Sequence, residues 1–395
     1  MIFIRFKNYY FFLILTLFIF SGCSFEKKYD KLDIDSLLKT RYDKLLKYSV
    51  DSLSFPRSYS RHENASKLVP SKDWTSGFFA GNLWYLYTLT GNQAYIDKAQ
   101  AWTSFIEKEK FNDKTHDMGF KIYNSFGNGL KIKDNKRYKN IIVKSAKTLS
   151  TRFNENIKSI RSWDFNKKVW QFPVIIDNMM NLELLFEATK LTNDSTYHNL
   201  AVTHANTTLK HHFRPDNSCY HVIDYDTITY QPRMKVTHQG INDESSWARG
   251  HGWGIYGYTL AYRYTKDNRY LDRAITTADY FIHHKNMPDD GIPYWDFDDI
   301  SIPDAPRDVS AGTIVASALV EIYEFTKNKK YLDYSKKVIN TLKSTEYILE
   351  PDFEAPFILD HSTGNWPKND EIDEPIVYGD YYFLETLIRL KNLNK

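Results

Sequence analysis

"SGFFAGNLWYLYTLTGNQAYIDKAQAWTSFIEKE", residues 76–109, sets two helical patterns of different kind on either side of a short polar turn. The first pattern, up to Thr90, is apolar on nearly every face, as in a helix buried all round. The second, from Tyr95, alternates apolar and charged positions with helical period, as in a helix with one face in water. Gly91, Asn92 and Gln93 form the turn between them. An inner helix followed by an outer one is therefore the unit from which the fold is built.

The unit recurs. "IKDNKRYKNII" (132–142), "LTNDSTYHNLA" (191–201), "YTKDNRYLDRA" (264–274) and "FTKNKKYLDYS" (325–335) repeat the polar turn and the Tyr of "LTGNQAYIDKA" (89–99), giving Tyr95, Tyr138, Tyr197, Tyr270 and Tyr331. The steps between these tyrosines are too uneven for a solenoid of identical repeats. Apolar helices begin near Thr75, Gly119, Asn178, Ser246 and Val309, and a sixth, "YYFLETLIRLKNL", follows Asp380 with no partner after it. The N-terminal helix "LLKTRYDKLLKYS", with its own Tyr42, is free to close the circle. Six inner and six outer helices predict an all-α fold, an (α/α)6 toroid or barrel of six helical hairpins, with residues 30–395 as one domain. An open array of helical pairs is the competing architecture, and it differs in that the first and last helices do not meet.

The chain has 395 residues, 42% hydrophobic and 16% aromatic, enough for a large core. Its formal net charge of +3 includes no dense basic stripe of the kind that follows a phosphate backbone, so no nucleic acid partner is expected. The 29 Tyr and 9 Trp are rings able to cover the C–H face of a sugar while hydrogen-bonding its hydroxyls.

The start, "MIFIRFKNYYFFLILTLFIFSGCSFEKK", has a basic head, an apolar stretch from Tyr9 to Phe20, and small residues before Cys23. This is a secretory leader; the alternative is an uncleaved anchor helix, for which the apolar stretch is short as a membrane span. Phe20-Ser21-Gly22-Cys23 resembles a bacterial lipobox, which predicts a signal peptide over 1–23, a linker over 24–29, and a lipoprotein held by Cys23 on the periplasmic or cell-surface side of a membrane. Cys219 is then the one remaining thiol, read as a small buried hydrophobe, and no disulfide or cysteine-based zinc site is possible.

The long segments 218–253 and 287–312 concentrate Pro, Gly, Asp, His and Trp, and each leads into an inner helix. Since all inner helices start at one end, Asp117, Asp177, Arg249, Asp308 and Asp380 are expected to ring one mouth. Asp177 stands out in "WQFPVIIDNMMNLELLF", a carboxylate between Val-Ile-Ile and a buried helix. It either caps that helix or is a desolvated acid of raised pKa. Asp117 on the neighbouring inner helix invites the same two readings, but two carboxylates facing each other across a narrow ring force one to keep its proton. Arg249 is a fork for a substrate carboxylate or one half of a surface ion pair. His221 and His251 are hydroxyl partners or internally satisfied histidines. The acids between Asp289 and Asp308 fit no calcium-loop spacing, so neither a metal nor another cofactor is expected.

"HDMGF", "DNMMNLELLF", "HQGINDESSWARGHGWGIYG", "RDVSAGTIVASAL", "LDHSTGNWP" and "DEPIVYGDYYFLETLIRL" occur in the order found in glycoside hydrolase family 88, and over these motifs the chain resembles the family's unsaturated glucuronyl hydrolases. The resemblance implies a glycoside hydrolase on an (α/α)6 barrel. Its substrates are oligosaccharides released by polysaccharide lyases, from whose non-reducing end it removes the 4,5-unsaturated uronic acid, with glycosaminoglycan fragments as the expected class. It also implies Asp177 as general acid/base, Asp117 as the second essential carboxylate, and Trp74, Trp163, His221, Gln239, Arg249 and Trp253 as sugar-binding positions. Trp247 is suggested as a further contact. In "HSTGNWPK", Ser362, Asn365 and Lys368 are candidates to read a sulfate on the next sugar. Alternatives are an unsaturated rhamnogalacturonyl hydrolase acting on pectin fragments, a sugar epimerase on the same toroid, and a lipid-anchored glycan-binding protein without catalysis.

Overall fold

The computed structural model describes residues 33–393; the leader, Cys23 and the linker lie outside the described residues. The inner helices are α2 (Ser76–Thr90), α4 (π-helical over Gly119–Gly127, then α-helical over Asn128–Ile132), α6 (Asn178–Thr192), α8 (Ala248–Thr265), α10 (Val309–Thr326) and α12 (Val377–Leu393). The outer helices are α1 (Ile34–Lys47), α3 (Ala94–Ile106), α5 (Lys136–Ser150), α7 (Ser195–His211), α9 (Asn268–Ile282) and α11 (Lys329–Leu342). Each inner helix packs on the next, and α12 packs on α2, so the ring closes. The closed toroid, not the open array, is the architecture.

α1 completes the outer ring as expected. It packs against α2 and α3, while Lys343, next after α11, pairs with Asp35. Its buried Arg41 donates to the carbonyls of Glu350, Phe353, Ala355 and Phe357, fixing the segment that leads to α12. Five of the six outer helices start on side-chain caps, Asp33, Asn135, Asp194, Asp267 and Asn328 each accepting from a backbone N–H of the first turn; at α3, Gln93 makes no such bond and Asn92 Oδ1 accepts from Ala94 N instead. Polar turns of the kind seen at residue 91 therefore do two jobs, ending one helix and capping the next.

The narrowness of the ring depends on small residues. A Cβ on Gly77 would lie 2.2 Å from the carbonyl oxygen of Phe120, so α2 and α4 touch backbone to backbone there. α8 meets α6 in the same way at Gly257, against Met179.

Among the described residues seven short strands, absent from the sequence reading, decorate the mouth. β1 (Phe55–Ser60) and β2 (Ala65–Val69) form a hairpin before α2, and β3 (Phe153–Asn154) pairs with β4 (Ser159–Ile160). β5 (Pro173–Ile175), β6 (Val222–Tyr225) and β7 (Pro232–Val236) form an antiparallel sheet of three. Ile175 pairs with Val222, and Ile176 N donates to His221 O at 3.0 Å, so the register of this sheet brings the residues that follow β5 and precede β6 together. Asp224, wholly buried, holds the sheet by accepting from the backbone of Gln171 and Phe172 and from Arg233.

Candidate active site

The inner helices begin around a cavity of about 670 Å³ lined by aromatic rings and charges. Asp117, Asp177, Trp74, Trp163, Gln239, Arg249 and Trp253 all reach its wall. Apolar walls with a few converging polar groups are what a sugar-sized ligand requires.

Asp177 sits two residues after β5, at the position before α6, yet its side chain makes no cap bond. It is 9% exposed and its Oδ2 has no hydrogen-bond partner. Burial pushes its carboxyl up to about 7; His116 and Arg249 act against this, and the neighbouring Asp117 adds to it. The capping alternative is thereby excluded.

Asp117 has the opposite setting. Its Oδ2 accepts from Thr115 Oγ1 at 2.7 Å, and its Oδ1 lies 2.9 Å from His116 Nε2. Burial opposes its charge, but His116, Thr115 and Lys121 outweigh burial and hold its carboxyl below the usual range. His116 Nδ1 lies 2.8 Å from the carbonyl oxygen of Ser162 and must donate to it, which leaves Nε2 facing the carboxylate. At neutral pH the cavity therefore holds one ionised carboxylate and one that titrates in the neutral range.

His221 is set behind Asp177. Its Nδ1 accepts from the backbone N–H of His238 and Gln239 at 3.1 and 3.2 Å, so the ring proton is on Nε2. That Nε2 lies 3.7 Å from Asp177 Oδ2 and has no hydrogen-bond partner. Burial drives the pKa of His221 far down, so the ring is a neutral donor aimed at the acid. His221 does not reach the cavity wall, and neither does Trp247, whose ring lies 4.5 Å from His221 and 4.7 Å from the Arg249 guanidinium carbon. His251 is internally satisfied between Trp247 O and Cys219 N.

Four expectations need correction. Arg249 is neither a surface ion pair nor a free fork: it is 1% exposed, and Nη1 donates to Asp308 Oδ2 at 2.6 Å and to Thr363 O at 2.5 Å, while Nη2 donates to Gly364 O. Two of its five N–H groups hold the 361–368 loop in place and a third binds Asp308, leaving two for the cavity. Ser362 is buried behind that loop, exchanging backbone hydrogen bonds with Glu374, and does not line the cavity; Asn365 and Lys368 do. Asp380 is inside α12, which starts at Val377 rather than after it, and accepts from Ile358 N and Leu359 N, off the cavity wall. Asp308 lies behind Arg249 rather than on the wall.

Sequence reasoning passed over His116 and Tyr378, although both lie inside or beside quoted motifs. Tyr378 is fully buried, lines the cavity, and its hydroxyl has no partner. Its ring packs on Trp74 and faces Arg249. The only sequence signal for either was adjacency: His116 precedes Asp117, and Tyr378 opens the last inner helix. A clamp was also missed, Arg57 bidentate to Glu371 at 2.6 and 2.7 Å and bonded to Asp73 at 3.1 Å, which ties the β1 hairpin to the 361–374 segment. Among the described residues no group of His, Cys, Asp and Glu is arranged to hold a metal.

The profile of glycosyl hydrolase family 88 matches residues 53–263. An unsaturated glucuronyl hydrolase of Formosa agariphila is 58% identical over 98% of this chain and 99% of its own. An unsaturated chondroitin disaccharide hydrolase of Streptococcus pneumoniae is 32% identical, covering 83% of this chain and 84% of its own. Among solved structures, an unsaturated glucuronyl hydrolase specific for heparin superposes with a TM-score of 0.87 at 41% identity, over 91% of this chain and 96% of the other. The glycosaminoglycan-degrading unsaturated glucuronyl hydrolase of Bacillus sp. GL1 gives 0.83 at 30% identity, over 91% and 96%.

Proposed function

This chain belongs to glycoside hydrolase family 88, and from that premise we propose how the cavity carries out the reaction. The protein is an unsaturated glucuronyl hydrolase acting on unsaturated oligosaccharides derived from glycosaminoglycans. The C4=C5 bond of the terminal uronic acid is conjugated to its ring oxygen, so it is an enol ether. Protonation at C4 places positive charge on C5 and the ring oxygen. Asp177, held neutral by burial and by Asp117, donates that proton. The ionised Asp117 keeps a negative charge beside the developing cation. Water then adds at C5 as the Asp177 carboxylate takes its proton, and the resulting hemiketal opens and expels the neighbouring sugar.

The remaining side chains orient the sugar. Trp74, Trp163 and Trp253 offer ring faces. Gln239 is steadied by donating Nε2 to Gly364 O at 3.0 Å, which leaves its Oε1 for a hydroxyl. The two uncommitted N–H groups of Arg249 and the Tyr378 hydroxyl serve the uronate carboxylate. His221 acts through Asp177, its Nε2–H steadying the carboxylate that forms after proton transfer. Asn365 and Lys368, at the wall, read an anionic substituent on the next sugar. The chain is anchored through a lipid on Cys23, on the periplasmic or cell-surface side.

The observation that carries this reading is the unpartnered Oδ2 of a buried carboxyl beside a charged one. Turnover in heavy and 18O-labelled water tests it. One solvent deuterium at C4 and one solvent oxygen at C5, read before carbonyl exchange, is the expected product. Label at the anomeric carbon with none at C4 returns the two aspartates to an ordinary glycosidase pair. A panel of lyase-treated chondroitin, hyaluronan, heparin and pectin separates the glycosaminoglycan assignment from the pectin alternative.

A further inference from the structure

Every inner helix begins at the cavity, so every inner-to-outer turn lies at the opposite end of the toroid, about 22–27 Å away for the helices of 15 to 18 residues and less for α4, which is π-helical over Gly119–Gly127. The two ends differ in charge. At the base, "KIKDNKR" (131–137), "KDNR" (266–269) and "KNKK" (327–330) bring nine basic residues against Asp134 and Asp267. Lys133, Lys136, Lys327 and Lys329 are exposed there. Asp97 and Asp194 are the acids at the two other inner-to-outer turns of this end. At the mouth, residues 287–308 carry seven acids against Arg307, and residues 343–376 carry nine against two lysines. The chain enters on the side of the toroid, where Asp35 pairs with Lys343 just after the last turn of α11. Cys23 is ten residues before Asp33, a tether of at most about 35 Å.

We infer that the basic end of the toroid is a docking face for an anionic lipid surface, which holds the enzyme base-down with its cavity turned away from the membrane. The inference rests on the lipid anchor at Cys23. Anchoring alone fixes position but not direction. Attraction of the turns to lipid headgroups and repulsion of the acidic mouth from the same charges act together, within a Debye length, to choose one direction. An orientation of this kind keeps the cavity open to soluble anionic oligosaccharides that the membrane itself repels.

The test uses the lipidated full chain in vesicles, with a fluorophore on a new cysteine at the base (Gln93→Cys) or at the mouth (Ile300→Cys) and an acceptor on the lipid headgroups. Gln93 is exposed, Ile300 is 96% exposed, and the native Cys219 is buried and does not compete for label. In phosphatidylcholine vesicles containing phosphatidylglycerol, energy transfer from the base label should exceed that from the mouth label at least threefold. In pure phosphatidylcholine, or with Lys133→Glu, Lys136→Glu and Lys329→Glu combined, the contrast should fall below about 1.5-fold while turnover of free disaccharide is unchanged. Lys136 and Lys329 open their helices, where Glu is well tolerated, so this variant tests charge and not folding. Flotation with both kinds of vesicle but equal transfer from the two labels keeps the anchor and defeats the docking face. Failure to float with either kind defeats both. A contrast that survives the charge reversal also defeats the docking face.

Discussion

Asp177 and Asp308 stand at the same place in two of the six hairpins, the residue before an inner helix, and the structure treats them in opposite ways. Asp308 is the ordinary helix cap: its Oδ1 accepts from Ser310 N and Ala311 N, and its Oδ2 takes a charge-assisted bond from Arg249. Asp177 caps nothing, and one of its oxygens is left without a partner. The first is a carboxylate that the fold uses; the second is one that the fold tolerates. Leaving a buried polar oxygen unsatisfied is destabilising by roughly 1–3 kcal/mol, so its survival marks work done elsewhere.

The largest effect should come from breaking this contrast on the Asp177 side. Asp177→Asn keeps shape but has no proton to give, and turnover should fall by at least about 10³-fold, some 4 kcal/mol of barrier, with disaccharide binding largely kept. A rate above about a tenth of wild type in a steady-state assay removes Asp177 from the reaction. The same substitution should not weaken the fold. A carboxyl whose folded pKa is raised loses its stabilising contribution as pH rises from the unfolded value, about 4, through about 7. The stability of Asp177→Asn relative to wild type should therefore rise between pH 4 and pH 8.

The Asp308 side should answer in stability. Asp308→Asn takes the charge partner from a fully buried guanidinium, which should cost about 3–5 kcal/mol in denaturant unfolding. Unchanged stability there would mean that Arg249 is held by the Thr363 and Gly364 carbonyls alone.

How far the contrast could be read beforehand follows from what each feature depends on. The toroid was legible because the turn at residue 91 and its four echoes combine helix-ending and helix-capping residues with a change of hydrophobic period. The start of α12 was not, since "EPIVYGD" hides a helix start behind Pro375, Val377 and Gly379, and Asp380 was placed before the helix when it belongs inside it. The carboxylates were legible as a facing pair on neighbouring helices. The difference between Asp177 and Asp308 was not, because both read as a carboxylate before an apolar helix. Only long-range partners, Arg249 for one and none for Asp177 Oδ2, tell them apart. The small sheet that seats His221 against Asp177 was equally out of reach, its strands being three to five residues long.

A smaller effect sharpens the comparison within the cavity. Rates should fall above about pH 7, as the acid loses its proton. Asp117→Asn removes one charge that raises the Asp177 pKa, so besides lowering turnover it should move this alkaline limb to lower pH by about one unit in kcat/KM profiles. A limb that stays in place would assign the raised pKa to burial alone.

Whether Asp177 carries a proton at neutral pH is open to direct observation. Infrared difference spectra of wild type minus Asp177→Asn isolate the carbonyl band of one protonated carboxyl. The account predicts a band present at pH 5 that disappears with a midpoint near 7. A band already gone by pH 5, with a midpoint near that of an ordinary aspartate, would show Asp177 to be ionised at neutral pH and would contradict its role as the acid.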